Sequence, residues 1–444
     1  MLRILLLSIL SISTVLFSSA QELERRAFMG ILLSAIDEDM RSQAGFKGDD
    51  GIFVLRVFDK SSASAADIKA DDILISLNDE PIVGVSPFLG MLKQFKTGDK
   101  VALEIFREGK IITKDLELKP FPKESNPAFE TIYSSVVNGD NHQRIFLTKP
   151  FGDGPFPTVM VLQGVGCASS EYPFESMRGM SYEIIDSLTR AGYATIRVER
   201  SGMGDNKGQP CLDIDFKTDL GGFRATIAKL GEFSFVDQDA LFLMGFSMGG
   251  VIAPLLANET DVKGIIAYGT ASLNWKDYET ENSRRQYPLN FENYESFAEN
   301  MRLLELLLTE FYNKQKTPEQ IADEYPEHAE WITQRLGIYP MHYRYFQQVA
   351  ELNTLDLWYE CNAHVLAVHG SSDYVSSAND HALIAEVVNN KKPGSATYVE
   401  LEHADHWFNY AETYEESQTA VNSGNAEINR DFIPLILAWL KKLA

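Results

Sequence analysis

Three polar residues, far apart in the chain, are of types that together make a covalent catalyst. Ser247 stands in Gly245-Phe246-Ser247-Met248-Gly249-Gly250, Asp373 in Gly370-Ser371-Ser372-Asp373, and His406 in Glu402-His403-Ala404-Asp405-His406-Trp407-Phe408. A serine hydroxyl is a weak nucleophile until a base takes its proton. An imidazole can take that proton and return it to a leaving group, while a carboxylate holds the imidazole in the required tautomer. The chemistry implied is acyl transfer through a covalent intermediate on Ser247. His403 competes with His406 for the role of base. His403, Asp405 and His406 also form a short metal-like cluster, but no second His/Asp group at metal spacing accompanies it, so no metal is expected.

These residues need particular elements to bring them together. Ala240-Leu241-Phe242-Leu243-Met244 reads as a buried strand and Val251 to Ala257 as a helix, so Ser247 falls on the turn between them. Glycines on both sides suit a turn too tight for flanking side chains. The following helix directs unpaired N–H groups at the site, where negative charge develops. Ala363 to His369 and Ala396 to Leu401 read as two more strands, each ending just before Asp373 or His406.

A serine in this motif, followed in chain order by Asp and then His, resembles an α/β-hydrolase of the serine esterase and dienelactone-hydrolase-like kind. The likeness extends from about residue 129 to the C-terminus. Glu199-Arg200-Ser201-Gly202-Met203-Gly204-Asp205 resembles the family's loop after its fourth strand, although the family usually has Asp at the position of Glu199. The family's A-D-H-x-F pattern places the base at His406. Gln163-Gly164-Val165-Gly166-Cys167, after the strand Thr158–Leu162, resembles the family's H-G-x-G oxyanion loop with Gln for His. The resemblance implies oxyanion donors at the N–H of Met248 and at Val165, with Gly166 as the alternative. His364, His369 and His381 read as structural.

The chain has 444 residues, 45% of them apolar, which points to more than one domain. A net charge of −23 argues against a nucleic-acid partner and against attraction to anionic lipid. Arg3, the apolar run Ile4 to Leu10 and the small residues ending at Ala20 read as a secretory signal peptide over residues 1–20, with an uncleaved anchor as the alternative. No later stretch is long enough to span a membrane. An exported, periplasmic or secreted bacterial protein is expected. Its three cysteines are Cys167, Cys211 and Cys361. Cys167 and Cys211 lie on loops that should leave one edge of the sheet from neighbouring strands, so a disulfide between them is expected, with two buried thiols as the alternative.

Residues 27–119 follow a different pattern: the strand Gly51–Val57, the turn and short helix Ser61–Ala66, the helix Ser86–Phe95, and a hairpin from Val101–Arg107 into Ile111–Thr113. This resembles a PDZ domain of the bacterial protease-associated type, small and mostly β. The family's glycines are replaced at Asp67, Asp71 and Asp79, where the backbone is expected to rearrange slightly. The resemblance implies a peptide-carboxylate loop at Phe28-Met29-Gly30-Ile31, with Ile31 to Ala35 taking up the peptide as an added strand. A PDZ fold kept only for packing or dimerisation is the alternative. Residues 120–128, with two flanking prolines, read as a stiff linker.

The α/β-hydrolase domain is expected over 129–444, with a helical lid inserted at about 271–360. Lid residues Tyr339, Tyr343, Tyr345, Phe346, Trp358 and Tyr359 are candidates to line an acyl pocket or to pack the lid on the core. No cluster there selects a carboxylate, phosphate or sugar; Arg284 and Arg285 are weak candidates. The expected activity is hydrolysis of a small ester or acyl substrate without a cofactor. A serine peptidase like the prolyl oligopeptidases, acyl transfer to another acceptor, and a non-catalytic PDZ scaffold are the alternatives.

Overall fold

A computed structural model describes residues 22–290, 293–424 and 426–443. The signal-peptide reading over residues 1–20 lies outside them.

The first sheet is antiparallel. Its chain contains β1 (Ala27–Phe28), β2 (Ile31–Ala35), β3 (Ile52–Val57), β4 (Ile73–Leu77), β5 (Glu80–Pro81), β6 (Lys100–Arg107), β7 (Lys110–Glu117) and β8 (Lys119–Pro120). The order is β2-β3-β4-β6-β7, with β5 on β4, so β2 is an edge strand. Strands β1 and β8 pair with each other and bring the two ends of this module together. Ile52, Val54, Leu74, Phe88 and Leu103 fill its core.

At the positions where the family has glycine, Asp67, Asp71 and Asp79 adopt positive φ values of 57°, 71° and 66°, the left-handed region that glycine favours. Aspartate enters the left-handed region at lower cost than most residues, because its short polar side chain bonds locally. At Asp67 the carboxylate also meets Arg107 and Lys114.

The second sheet consists of β9 (Glu130–Asn138), β10 (Asn141–Lys149), β11 (Phe156–Leu162), β12 (Ala194–Val198), β13 (Val236–Phe246), β14 (Gly264–Tyr268), β15 (His364–Gly370) and β16 (Ala396–Leu401). The order is β16-β15-β14-β13-β11-β12-β10-β9. All pairs from β12 through β11 to β16 are parallel. The continuous apolar runs follow from burial on both faces. Leu241 and Leu243 enter one core and Phe242 and Met244 the other, as a period of two requires. Helices Met180–Arg190 and Phe432–Leu443 cover one face, and Phe216–Lys229, Met248–Glu259 and Ala378–Lys391 the other.

Between β14 and β15 the chain makes helices from Trp275–Arg285 to Thr354–Glu360. Of the late aromatics, Tyr345, Phe346 and Trp358 are buried between this cap and the body. Tyr339 alone of the six borders the cavity described below. The aromatic richness is therefore mainly packing.

Candidate active site

Strand β13 runs directly into Ser247, which has φ 52° and ψ −118°, and the helix Met248–Glu259 begins at the next residue. The sharpness of this turn accounts for the glycines. A Cβ on Gly245 would lie 2.4 Å from the Gly249 carbonyl oxygen, and one on Gly249 2.0 Å from that of Leu162. The strained serine is held by its own N–H, which donates to Tyr268 O at 2.9 Å.

Asp373 follows β15 and is fully buried. Its Oδ1 accepts the N–H groups of Val375 at 2.7 Å and Ser376 at 2.8 Å. Its Oδ2 accepts the Ser376 hydroxyl at 2.5 Å and contacts His406 Nδ1 at 2.9 Å. Burial opposes ionisation of Asp373, but the charge and hydrogen bond of His406, with help from His369 and Ser376, hold its carboxyl far below the usual range. Burial likewise opposes the charged form of His406, yet the Asp373 carboxylate outweighs it and the imidazole pKa is raised.

The turn carrying His406 is built around Asp405, whose carboxylate accepts the N–H of Trp407 and Asn409 and the Ser417 hydroxyl. His403 is turned away, with φ 56° and its ring stacked on Tyr410 at 5.1 Å. The structure therefore brings His406, not His403, to the acid. Among the described residues, no group of three or more His, Cys, Asp or Glu side chains converges as metal ligands would.

Gly269 was not singled out from the sequence. It follows β14, and a Cβ there would come within 3.0 Å of His406 Nδ1 and 3.2 Å of Asp373 Oδ2. Its neighbour Thr270 donates its N–H to His381 Nε2 at 3.0 Å, while His381 Nδ1 meets Ser377 O at 2.7 Å. Burial and His369 push the His381 pKa down to about 3, so this ring stays neutral and braces the floor beneath the Asp373–His406 pair.

The loop Gln163 to Cys167 lies over Ser247. A Cβ on Gly164 would be 3.2 Å from the Ser247 Cβ. Arg200, also unassigned from the sequence, holds this loop from behind. It is buried, bonds Asp219 at 2.8 and 2.9 Å, and donates to the carbonyls of Gly164 (3.1 Å) and Gly166. In a trans peptide the N–H points opposite the C=O. Anchoring Gly164 O on Arg200 therefore directs the Val165 N–H away from the guanidinium. Among the described residues the N–H groups of Val165, Gly166 and Met248 have no protein acceptor. Cys167 and Cys211 are joined as a disulfide, tying this loop to the segment after β12, and Cys361 is buried and free.

Ser247, His406, Gly164 and Val165 open into one cavity of about 980 Å³ beneath the cap. Three arginines reach its wall, and each is paired: Arg197 with Glu124, Arg200 with Asp219 and Arg335 with Glu279.

At the other module, Met29 and Gly30 form the loop leading into edge strand β2, which begins at Ile31. The carbonyls of Met29 and Gly30 accept from Ala63 and Phe58. Among the described residues, the Met29 and Gly30 N–H groups have no protein acceptor.

A family model described as "Alpha/beta hydrolase family" matches residues 159–416. The chain belongs to the α/β-hydrolase family. A second model, "PDZ domain", matches residues 27–118 of this hydrolase. Among curated proteins, it is 32% identical over 116 residues to the periplasmic serine endoprotease DegP of Salmonella typhimurium, covering 26% of this chain and 24% of that protein. It is 30% identical over 115 residues to DegP of Escherichia coli K12, covering 26% and 23%. The chain thus spans about a quarter of the length of these relatives, and the likeness is to their PDZ part. Solved structures with a related fold include a carboxyl esterase from Bacillus coagulans in complex with glycerol, at 14% identity and TM-score 0.43, covering 72% of this chain and 99% of that one. An esterase from Pyrococcus furiosus shares 13% identity at TM-score 0.44, covering 72% and 97%.

Proposed function

We propose that this hydrolase cleaves carboxylic esters through an acyl-enzyme on Ser247. The observation that carries the reading is the His406 Nδ1–Asp373 Oδ2 contact at 2.9 Å, with His406 lining the same cavity as Ser247, a serine on a strained strand-to-helix turn. Ser247 Oγ attacks the ester carbonyl as His406 accepts its proton. The C–O bond to the alcohol then breaks and His406 protonates the leaving oxygen. Water repeats the sequence on the acyl-enzyme, releasing the carboxylic acid and restoring Ser247. Asp373 stabilises the imidazolium in both halves. The N–H groups of Met248 and Val165, with Gly166 as the alternative, stabilise the oxyanion.

An esterase fits the cavity better than a peptidase of the prolyl-oligopeptidase kind. An exopeptidase needs a charged group to anchor a substrate terminus, and the arginines at this wall are already neutralised by carboxylates. The PDZ module is read as a receptor for a peptide C-terminus, received by the Met29, Gly30 and Ile31 backbone and extended along β2. Export to the periplasm is the matching location, in keeping with the DegP relatives and with the disulfide. Among the described residues, no helix is long and apolar enough to cross a membrane.

The test is labelling with a fluorophosphonate, followed by turnover of p-nitrophenyl esters and aminoacyl anilides. Labelling and ester turnover are expected in the wild type and absent in Ser247→Ala and His406→Ala. A folded wild type that does not label removes the enzyme reading, and anilide turnover in preference to ester turnover replaces it with the peptidase.

A further inference from the structure

Two segments of the cavity lining differ in a way that bears on what leaves the acyl group. After β11 and the proposed oxyanion loop, Met177, Met180 and Ile185 supply apolar side chains, with Ser169, Ser170 and Ser181 among them. On the β15 side the wall is the helix Trp275–Arg285 and its continuation to Asn290, where carboxamides recur every fourth residue at Asn282, Gln286 and Asn290. That spacing aligns them on one helix face. They bond in series: Gln286 Nε2 donates to Asn282 Oδ1 at 2.7 Å, Asn290 Nδ2 to Gln286 Oε1 at 3.2 Å, and Gln418 Nε2 to Asn290 Oδ1 at 3.3 Å.

This ladder is fixed to the turn that holds the acid. Arg285 Nη2 and the Tyr278 hydroxyl both donate to Val375 O, at 2.8 and 3.0 Å, and Gln286 Nε2 reaches Tyr374 O at 3.4 Å. Arg285, a weak candidate for substrate binding in the sequence, is thus an anchor for the helix. The polar wall accordingly lies beside His406, which returns the proton to the leaving oxygen.

A carboxamide offers two N–H donors and two acceptor sites. The ladder bonds leave one N–H and one acceptor site at Asn290, one acceptor site at Gln286 and one N–H at Asn282, so the wall presents donors and acceptors together; the Arg285 guanidinium lies behind Asn282 and does not line the cavity. A hydroxyl both donates and accepts, and so matches either kind of site. An alkyl alcohol leaves these groups unpaired, and the side chains of this helix that line the cavity include no ionised group to meet a charged one.

We infer that the leaving group is a neutral alcohol bearing several hydroxyls, recognised by the Asn282–Gln286–Asn290 ladder, with an apolar acyl chain against Met177, Met180 and Ile185. This rests on the ester-hydrolase reading above. The test compares three hexanoates: the glycerol monoester, the 2-methoxyethyl ester, which has an oxygen-substituted leaving group without hydroxyls, and the p-nitrophenyl ester. Wild-type kcat/KM is expected to be about tenfold higher for the glycerol ester than for the methoxyethyl ester, the effect of one neutral hydrogen bond. Gln286→Leu and Asn290→Leu, each checked for unchanged melting, are expected to erase that preference, bringing the glycerol and methoxyethyl esters within about twofold of each other. Asn290 lies at the end of its helix, so its variant keeps the test usable if Gln286→Leu does not fold. Equal wild-type rates for the two alkyl-type esters, or variants that lower all three esters alike, overturn the inference. Fluorophosphonate labelling of Ser247 in the same preparation separates that failure from failure of the esterase reading.

Discussion

At the residue scale the opposing shifts of Asp373 and His406 give the site a definite pH dependence. Asp373 is held far below the usual carboxylate range, so its contribution to stability is present above its unfolded value and is lost as pH falls. His406 is raised, so its contribution is present below the unfolded imidazole value and is lost as pH rises through its folded value. The pair is therefore most stabilising between the two. The proposed mechanism has the other requirement, because a base at His406 accepts a proton only when neutral. The acid limb of kcat/KM is expected above the ordinary histidine value of about 6.5, read from a pH–rate profile on a p-nitrophenyl ester. Asp373→Asn removes the carboxylate that raises the imidazole, so the limb moves to lower pH while the rate falls by about 10⁴. A limb that stays in place in that variant separates His406 from Asp373. The choice between His403 and His406 rests on a sequence pattern, and the structure shows its physical counterpart: Asp405 folds the turn, His406 meets Asp373 and His403 stacks on Tyr410. Gly269 was not legible, since its importance is a distance to two residues more than a hundred positions away in the chain.

At the element scale the loop proposed to serve the oxyanion is held on both sides, by Arg200 behind it and by the Cys167–Cys211 bond at its end. Its two glycines and the preceding strand were visible in the sequence. The role of Arg200 was not, because a buried guanidinium on the neighbouring strand's loop reads locally as a charged surface residue. The disulfide closes a loop with a sequence separation of 44, for which chain entropy gives roughly 3–4 kcal/mol. The double variant Cys167→Ser/Cys211→Ser is expected to lose about that much in chemical denaturation and, if the loop positions an N–H for the transition state as proposed, to lose kcat beyond any change in KM. A loss of stability with kcat unchanged assigns the bond to folding alone. The lid shows the opposite limit of sequence reading. Its aromatics are largely packing, whereas the carboxamides at Asn282, Gln286 and Asn290, which carry no motif of their own in the sequence, line the cavity. Only the rotation of that helix over the cavity distinguishes the two.

At the scale of the whole molecule, the two modules are joined more closely than the prolines at 120–128 implied. Glu124, inside that stretch, is buried, makes a two-pronged bond with buried Arg197 at 2.8 and 2.9 Å, and accepts the Tyr172 N–H. Arg25, just ahead of β1, bonds Glu171 and Asp205. Phe174 stacks between Phe28 and Phe58 of the PDZ module at 5.6 and 4.5 Å. Glu171, Tyr172 and Phe174 all lie in the segment that runs from the oxyanion loop to Met180, and Tyr172, Met177 and Met180 from that segment line the cavity. Residues on both sides of the PDZ fold thus clamp the wall where the acyl chain is read to sit. Cutting the chain before residue 127 removes Glu124 and strands the Arg197 charge in the interior, a change that costs about 3–5 kcal/mol. The fragment is therefore expected to melt well below the full chain and to lose ester turnover. Glu124→Gln in the full-length protein reproduces part of that loss while the PDZ module is still present, and Glu124→Ala/Arg197→Met recovers stability by removing both charges. A truncated fragment as stable and active as the full chain makes the PDZ module an appendage. A stable fragment with altered acyl-chain preference places the clamp's effect in the cavity wall alone.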